Sequence, residues 1–314
     1  MKRATVLKLL ISAAAGSLAV WFLVARVSPR KETLVPILSA LTSQVIAPPF
    51  VQRDLVYGQA GGVDLKLDFA RPSEGSGPFP LVICIHGGAW RSGSKSGYAV
   101  ALPLLVQHGY AAASLDYRLA PRYPFPAQIE DVRRAVRYLD QRAAGFKIDP
   151  NRLGAMGDSA GGHLALLLGL SDPNDTIRAV VNLYGPADLP RWKAGPEGEA
   201  ALTMSSAKVL DTVFGTSDRA SVTLRAASPI HQIGKARPAV LTLHGEADPV
   251  VKAEQAIWLH QALRTAGFQE KLVIVKGASH GLQGTDLANA IGEVTEFLAA
   301  HLKAERHNRV EPAP

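Results

Sequence analysis

The sequence predicts an α/β protein with a mostly parallel sheet and helices on both of its faces. Three observations carry this. Short apolar runs alternate with helix-period segments from residue 51 onward. The run LVICIH (81–86) is continuously apolar, as a strand buried on both faces must be. The spacers are turn-rich, PSEGSGPFP (72–80) among them.

Taken in order, VDLKLDF (63–69) alternates like a half-exposed strand. After LVICIH, AAASLDY (111–117) is a further strand. Ile129, Val132, Val136 and Leu139 share one face of a helix over 126–143, with Pro126 near its start. RLGAMG (152–157) leads directly into an apolar helix over 160–170. AVVNLY (179–184), AVLTLH (239–244) and KLVIV (271–275) supply three more strands, with helices over 252–266 and 286–303. Residues 185–237 are less regular, with a loop at Gly195, Pro196 and Gly198 and room for a small lid.

The chain has 314 residues, 47% hydrophobic and 19% charged, which excludes a globally disordered protein. The net charge of +7 comes largely from Lys2, Arg3, Lys8, Arg26, Arg30 and Lys31. Without those six, 28 basic residues face 27 acidic ones, so the body carries no basic stripe and nucleic acid is not an expected partner. The lone cysteine, Cys84, excludes an intrachain disulfide and cysteine metal clusters, and its strand position makes it a small core hydrophobe.

Four segments are expected: 1–25 as signal peptide or membrane anchor, 26–50 as linker, 51–303 as the catalytic domain and 304–314 as a tail. The run Leu9–Ala25 is uncharged and follows basic residues, the layout of an export signal. It also approaches the roughly 17–25 residues that span a bilayer. Leu23 and Ala25 make a weak cleavage site, so the expectation is an exported protein, either tethered to the membrane through 9–25 or released to the periplasm or medium. Leu34, Ile37, Leu38, Leu41 and Val45 share one helical face, either packed on the domain or serving as a flap.

Gly157-Asp158-Ser159-Ala160-Gly161 is a G-x-S-x-G sequence between a strand and a helix. There the chain must turn sharply so that the serine hydroxyl projects above the sheet as a nucleophile. Gly157 and Gly161 remove side chains that would crowd the turn. His86-Gly87-Gly88-Ala89-Trp90 follows the central strand, and its small residues let backbone N–H groups approach a developing oxyanion. Gly88 and Ala89 are the candidate donors there and Ala160 supplies another. His86 and Gly87 support the loop, with His86 as a second base the weaker alternative. Trp90 is packing or part of an acyl-group site.

A base and its orienting acid should follow Ser159 in the order acid, then histidine. His163 is too close in sequence to fold over Ser159, and His260 is mid-helix. His231, His244, His301 and His307 fit less well than His280, which sits in KGASHG just past a strand's C-terminal end, where such sheets gather their ligands. Asp248 in HGEADPVV is similarly placed, with Glu246 and Asp188 as competitors.

HGGAW, DYRLAPRYPFPAQIEDVRRAV (116–136), GDSAGGHLA and HGEADPVV together resemble the α/β-hydrolase superfamily, in its hormone-sensitive-lipase-like bacterial esterase branch. The resemblance covers about residues 51–303. It implies an eight-stranded sheet with a small lid-like insertion, no cofactor or metal, and hydrolysis of small-molecule carboxylic esters by Ser159, His280 and Asp248. By the same resemblance Gly88 and Ala89 are oxyanion donors. Many members carry a third glycine where Ala89 stands, and its methyl is expected to narrow acceptance of tertiary-alcohol esters. A serine amidase or formamidase resembling kynurenine formamidase, and a non-catalytic binding protein of the same fold, are the alternative functions.

Overall fold

A computed structural model of the chain describes residues 48–234 and 236–303. The segments 1–25 and 34–45 and the tail 304–314 lie outside the described residues. Among the described residues, no helix is long and apolar enough to cross a membrane.

Eight strands form one sheet: β1 (Phe50–Ala60), β2 (Val63–Arg71), β3 (Phe79–Ile85), β4 (Ala111–Leu115), β5 (Ile148–Asp158), β6 (Ile177–Leu183), β7 (Ala239–Gly245) and β8 (Glu270–Val275). Their spatial order is β1-β2-β4-β3-β5-β6-β7-β8. β2 runs antiparallel to both β1 and β4, and every other pairing is parallel. The helices are α1 (Ala101–Gln107), α2 (Ala127–Gln141), α3 (Ala143–Phe146), α4 (Ala160–Leu170), α5 (Pro196–Leu202), α6 (Ser206–Phe214), α7 (Val222–Ala226), α8 (Glu254–Thr265) and α9 (Gly284–Leu298).

The alternation of side chains along β3 divides the interior. Leu81, Ile83 and Ile85 enter one core with residues of α2, α4 and α8, such as Val132, Leu164 and Leu259. Val82 and Cys84 enter the opposite core with Leu102 and Val106 of α1 and Leu298 of α9. These five β3 side chains are buried, and each large aliphatic one among them contributes about 1.5–3 kcal/mol. Burial pushes the Cys84 thiol far above its ordinary range, which suits a core hydrophobe rather than a nucleophile.

β1 and α1 are among the elements that escape the sequence pattern. β1 is a mostly exposed edge strand whose one fully buried side chain is Tyr57, so it lacks a continuous apolar signature. Its trace was the Gly61-Gly62 pair, both at positive φ, which closes the β1–β2 hairpin. Helix α1 carries Pro103, which disguises it. Pro103 lies in the first turn, where its missing N–H forfeits no intrahelical bond. The helix expected over 286–303 instead spans 284–298 and ends in a π-helical turn at 299–303.

Part of the 185–237 segment packs on the domain. Val209, Leu210, Val213 and Phe214 of α6 are buried in the main core, and the Phe214 ring stands edge-on to Trp90 at 5.2 Å.

The DYRLAP segment is fixed by one buried carboxylate. Asp131, fully buried on α2, accepts from the Arg118 backbone N–H at 3.0 Å and from its Nε at 2.8 Å and Nη2 at 2.9 Å. Arg134 Nη1 donates to the same carboxylate at 2.9 Å. Removing one partner leaves uncompensated buried charge. Asp131→Ala should therefore lose about 3–5 kcal/mol of stability, read as a lower denaturant midpoint with an unchanged slope.

Candidate active site

Ser159 sits between the last residue of β5 and the first of α4, with φ 51° and ψ −118°. That conformation costs on the order of 1–3 kcal/mol for a residue with a side chain. Several contacts hold it. Ser159 N–H donates to the Leu183 carbonyl at 2.8 Å, and the Ser159 carbonyl accepts from His163 N–H at 3.0 Å. A Cβ at Gly157 would collide with the Gly161 carbonyl, and one at Gly161 with the Ile85 carbonyl. Only glycine lets β3, β5 and α4 converge here.

His280 and Asp248 reach the serine from loops beyond the C-terminal ends of β8 and β7. Ser159 Oγ lies 3.0 Å from His280 Nε2, and His280 Nδ1 lies 2.7 Å from Asp248 Oδ2. A carboxylate can only accept, so Nδ1 carries the proton and Nε2 is free to accept from the hydroxyl. The Tyr184 ring stands edge-on to His280 at 4.9 Å, and Tyr184 is itself at positive φ.

Asp248 is buried and its lone pairs are occupied. Oδ1 accepts from Val250 N–H at 2.8 Å and Val251 N–H at 2.9 Å. Beside Oδ2, at 3.4 Å, lies Nε2 of the fully buried His244, which donates to the Val251 carbonyl at 2.6 Å. Burial alone would raise the Asp248 carboxyl. The hydrogen bonds from His244 and His280, followed by the charge of His280 and the Val251 N–H, outweigh it and hold the group at about 2.

The competing residues go elsewhere. Glu246 is exposed and accepts from Gly277 N–H at 3.1 Å. Asp188 pairs with Arg191 at 2.6 Å. Ring nitrogens of His260 face Glu270 and Thr242 at 2.5 and 2.8 Å. His163 is buried between Trp90 and the Ala227 carbonyl, and burial pulls its pKa down to about 4. Trp90 is buried and packed against His163, Trp192 and Phe214.

Gly88, at φ 111°, and Ala89, at φ 51°, fold the loop after β3 back on itself. The Gly88 carbonyl is taken by Arg91 and Ser92 N–H groups, both at 3.0 Å. Among the described residues, the N–H groups of Gly88, Ala89 and Ala160 donate to no protein acceptor. Three unengaged donors beside Ser159 can stabilise a developing oxyanion. His86 is buried and stacked on Tyr117 at 4.2 Å, with Nδ1 2.7 Å from the Gly87 carbonyl, while its own carbonyl accepts from Tyr117 Oη at 2.8 Å. Burial lowers its pKa, consistent with loop support rather than a second base.

Asp158 ties the loop to the elbow, its carboxylate accepting from Gly87 N–H at 3.0 Å and Tyr98 Oη at 3.1 Å. The signal was its place beside Ser159, but its partner Tyr98 follows no motif. Among the described residues, no group of three His, Cys, Asp or Glu side chains could hold a metal ion.

This strand order, with a strained serine at a strand–helix turn and a histidine and an aspartate from later strand ends, defines the α/β-hydrolase fold. Within it the chain belongs to the BD-FAE family, whose model matches residues 67–263, in the hormone-sensitive-lipase-like branch. It is 34% identical over 249 residues to esterase LipC of Mycobacterium tuberculosis, covering 74% of this chain and 60% of LipC. The chain spans between 53% and 63% of the length of the three mycobacterial relatives LipC, LipQ and LipM. A truncated carbohydrate esterase from gut microbiota has the same fold, with a TM-score of 0.71 at 24% identity over 83% of this chain and 99% of that one. Esterase 2 of Thermogutta terrifontis, in a form phosphorylated by paraoxon, is 25% identical with a TM-score of 0.63, covering 81% and 95% of the two chains.

Asp248 is held below its ordinary value of about 3.9. The folded state therefore binds fewer protons, and the stabilisation is complete above that value and lost as pH falls towards 2. The stability difference between wild type and Asp248→Asn should shrink by about 2 kcal/mol between about pH 6 and pH 2, measured by denaturant titration at each pH.

Proposed function

We propose that the protein is a serine carboxylic ester hydrolase acting on short- to medium-chain acyl esters through an acyl-enzyme. The observation that carries this is the continuous chain Ser159 Oγ, His280 Nε2, His280 Nδ1 and Asp248 Oδ2, with links of 3.0 and 2.7 Å, at a strained elbow. Similarity to LipC, whose name is esterase, favours ester over amide substrates.

In this reading His280 Nε2 takes the proton of Ser159 as Oγ forms a bond to the ester carbon. The carbonyl π electrons move to oxygen, and the N–H groups of Gly88, Ala89 and Ala160 receive the negative charge. Asp248 holds the ring in its reactive tautomer and stabilises the imidazolium. Collapse breaks the bond to the alcohol oxygen, which leaves with the proton from His280. Water then gives a proton to His280 and its oxygen to the acyl carbon, and collapse returns that proton to Ser159 with release of the acid.

Ser159→Ala should keep its fold by circular dichroism and lose ester turnover by a factor on the order of 10³ or more. Paraoxon should add one diethylphosphoryl group per wild-type chain, seen by mass spectrometry on the Ser159 peptide, and none to the variant. Near wild-type turnover by a folded Ser159→Ala would refute the assignment.

A further inference from the structure

Helices α1 and α9 do not close over the sheet between them. They leave a groove of about 730 Å³. That is within the roughly 300–1,000 Å³ of sites that bury a small organic ligand. One end is polar and is lined by residues that flank the reactive centre, though not by Ser159 or His280 themselves. Gly88, Asp158 and Tyr184 line it, and they are respectively an oxyanion donor, the neighbour of Ser159, and the ring packed on His280. Leu282, two residues past His280, completes that end.

Most of the remaining wall is aliphatic. Leu104 of α1 and Leu287, Ile291 and Val294 of α9 form the walls, and buried Met156 and Leu298 lie beneath them. From Leu287 to Leu298 the α9 wall runs for about 16 Å at helical rise. At the far end Tyr110 lines the groove, and its hydroxyl has no partner among the described residues.

A surface of this kind is costly to leave wet. Val100 is 54% exposed and Ile291 40% exposed on its rim, and uncovered aliphatic side chains forgo the gain of burial. Polar side chains are the minority of its lining, with Ser92, Ser94, Ser96, His108 and Thr295 set beside the aliphatic walls. A polar sugar or peptide would leave its hydroxyls or amides facing leucine, isoleucine and valine without partners. An unbranched hydrocarbon attached to the reacting ester group suits both ends.

We propose that this groove binds the aliphatic chain of an ester substrate, so that chain length is selected between α1 and α9 and not by the 185–237 insertion. The inference rests on the ester-hydrolase reading for the chain's point of attachment. Ala290 faces the groove and is small and nearly buried, so a larger side chain there fills the path. Ile291→Glu places a charge at an exposed rim position that the fold tolerates more readily.

The experiment uses the full chain with two substrate series: p-nitrophenyl esters from acetate to decanoate, and alkyl acetates from ethyl to decyl. If the groove holds the chain, kcat/KM rises roughly two- to fourfold per added methylene in one series until the groove is full. The rising series identifies whether the chain belongs to the acid or the alcohol. Ala290→Trp and Ile291→Glu should each lower the long-to-short ratio in that series about tenfold or more. Calorimetric binding of decanoate is read in parallel, and both substitutions should weaken it. Absent turnover on every ester, together with decanoate binding that Ala290→Trp abolishes, would refute the hydrolase reading and leave the groove assignment standing. Flat length profiles in both series, or ratios and decanoate binding unchanged by both substitutions, would overturn the groove assignment.

Discussion

The backbone of one residue organises the rest of the domain. Ser159 is held in a conformation that an L-residue avoids, and the surrounding chain is arranged to keep it there. The strain is offset by a hydrogen bond to β6 through Leu183 and by the start of α4 through His163. It also dictates glycine at 157 and 161, because β5, α4 and the end of β3 meet with no space for a Cβ. The oxyanion loop is joined to the same point through the bond from Gly87 N–H to Asp158. Position and reactivity are thus set by the same few backbone contacts.

The other reactive groups depend on sheet order. β7 and β8 lie successively beyond β6, all parallel, so the loops after them open on the same edge as the elbow. Asp248 and His280 are separated from Ser159 by long stretches of sequence, yet each needs only a short loop past its strand to reach the centre. Asp248 is then fixed by two backbone N–H groups and His244, so the imidazole is oriented by a carboxylate that cannot itself turn. Burial would favour the neutral acid, and the donors reverse that preference.

Much of this was legible in the sequence because parallel strands buried on both faces leave continuous apolar runs. LVICIH, AVVNLY and AVLTLH mark β3, β6 and β7 within a residue or two of their bounds. The elbow was legible for a related reason, since steric exclusion leaves glycines at fixed spacing around a serine. The edge strand β1 was not, because a strand exposed along most of its length need not carry a core pattern. Helix α1 was hidden by Pro103, whose meaning depends on which turn it occupies. The pairing of Asp158 with Tyr98, and of Asp248 with His244, belongs to tertiary contact alone. Tyr98 lies in a short 3-10 turn, and His244 ends a strand where it reads as either packing or base.

The two faces of the sheet are unequal for a reason that follows from the elbow. α4 must enter its face directly from Ser159, and its Leu164, Leu166 and Leu168 are buried in the larger core with α2 and α8. The Trp90, Trp192 and Phe214 cluster adds aromatic packing to that same side. Among the described residues, the smaller core takes side chains from α1 and α9, with Tyr98 of a 3-10 turn and Leu302 of the π-helical turn. Neither helix carries the nucleophile, and α9 begins only four residues after His280. The strained serine is anchored on the α4 face through the Leu183 carbonyl and the His163 N–H at the start of α4. The other face can remain open between its helices without loosening the Ser159–His280–Asp248 geometry, because Ser159 and Asp248 are fixed by backbone contacts at the strand ends and His280 by its bond to Asp248. A protein that holds its reacting atoms from one side of a sheet is free to shape a substrate chain's path on the other.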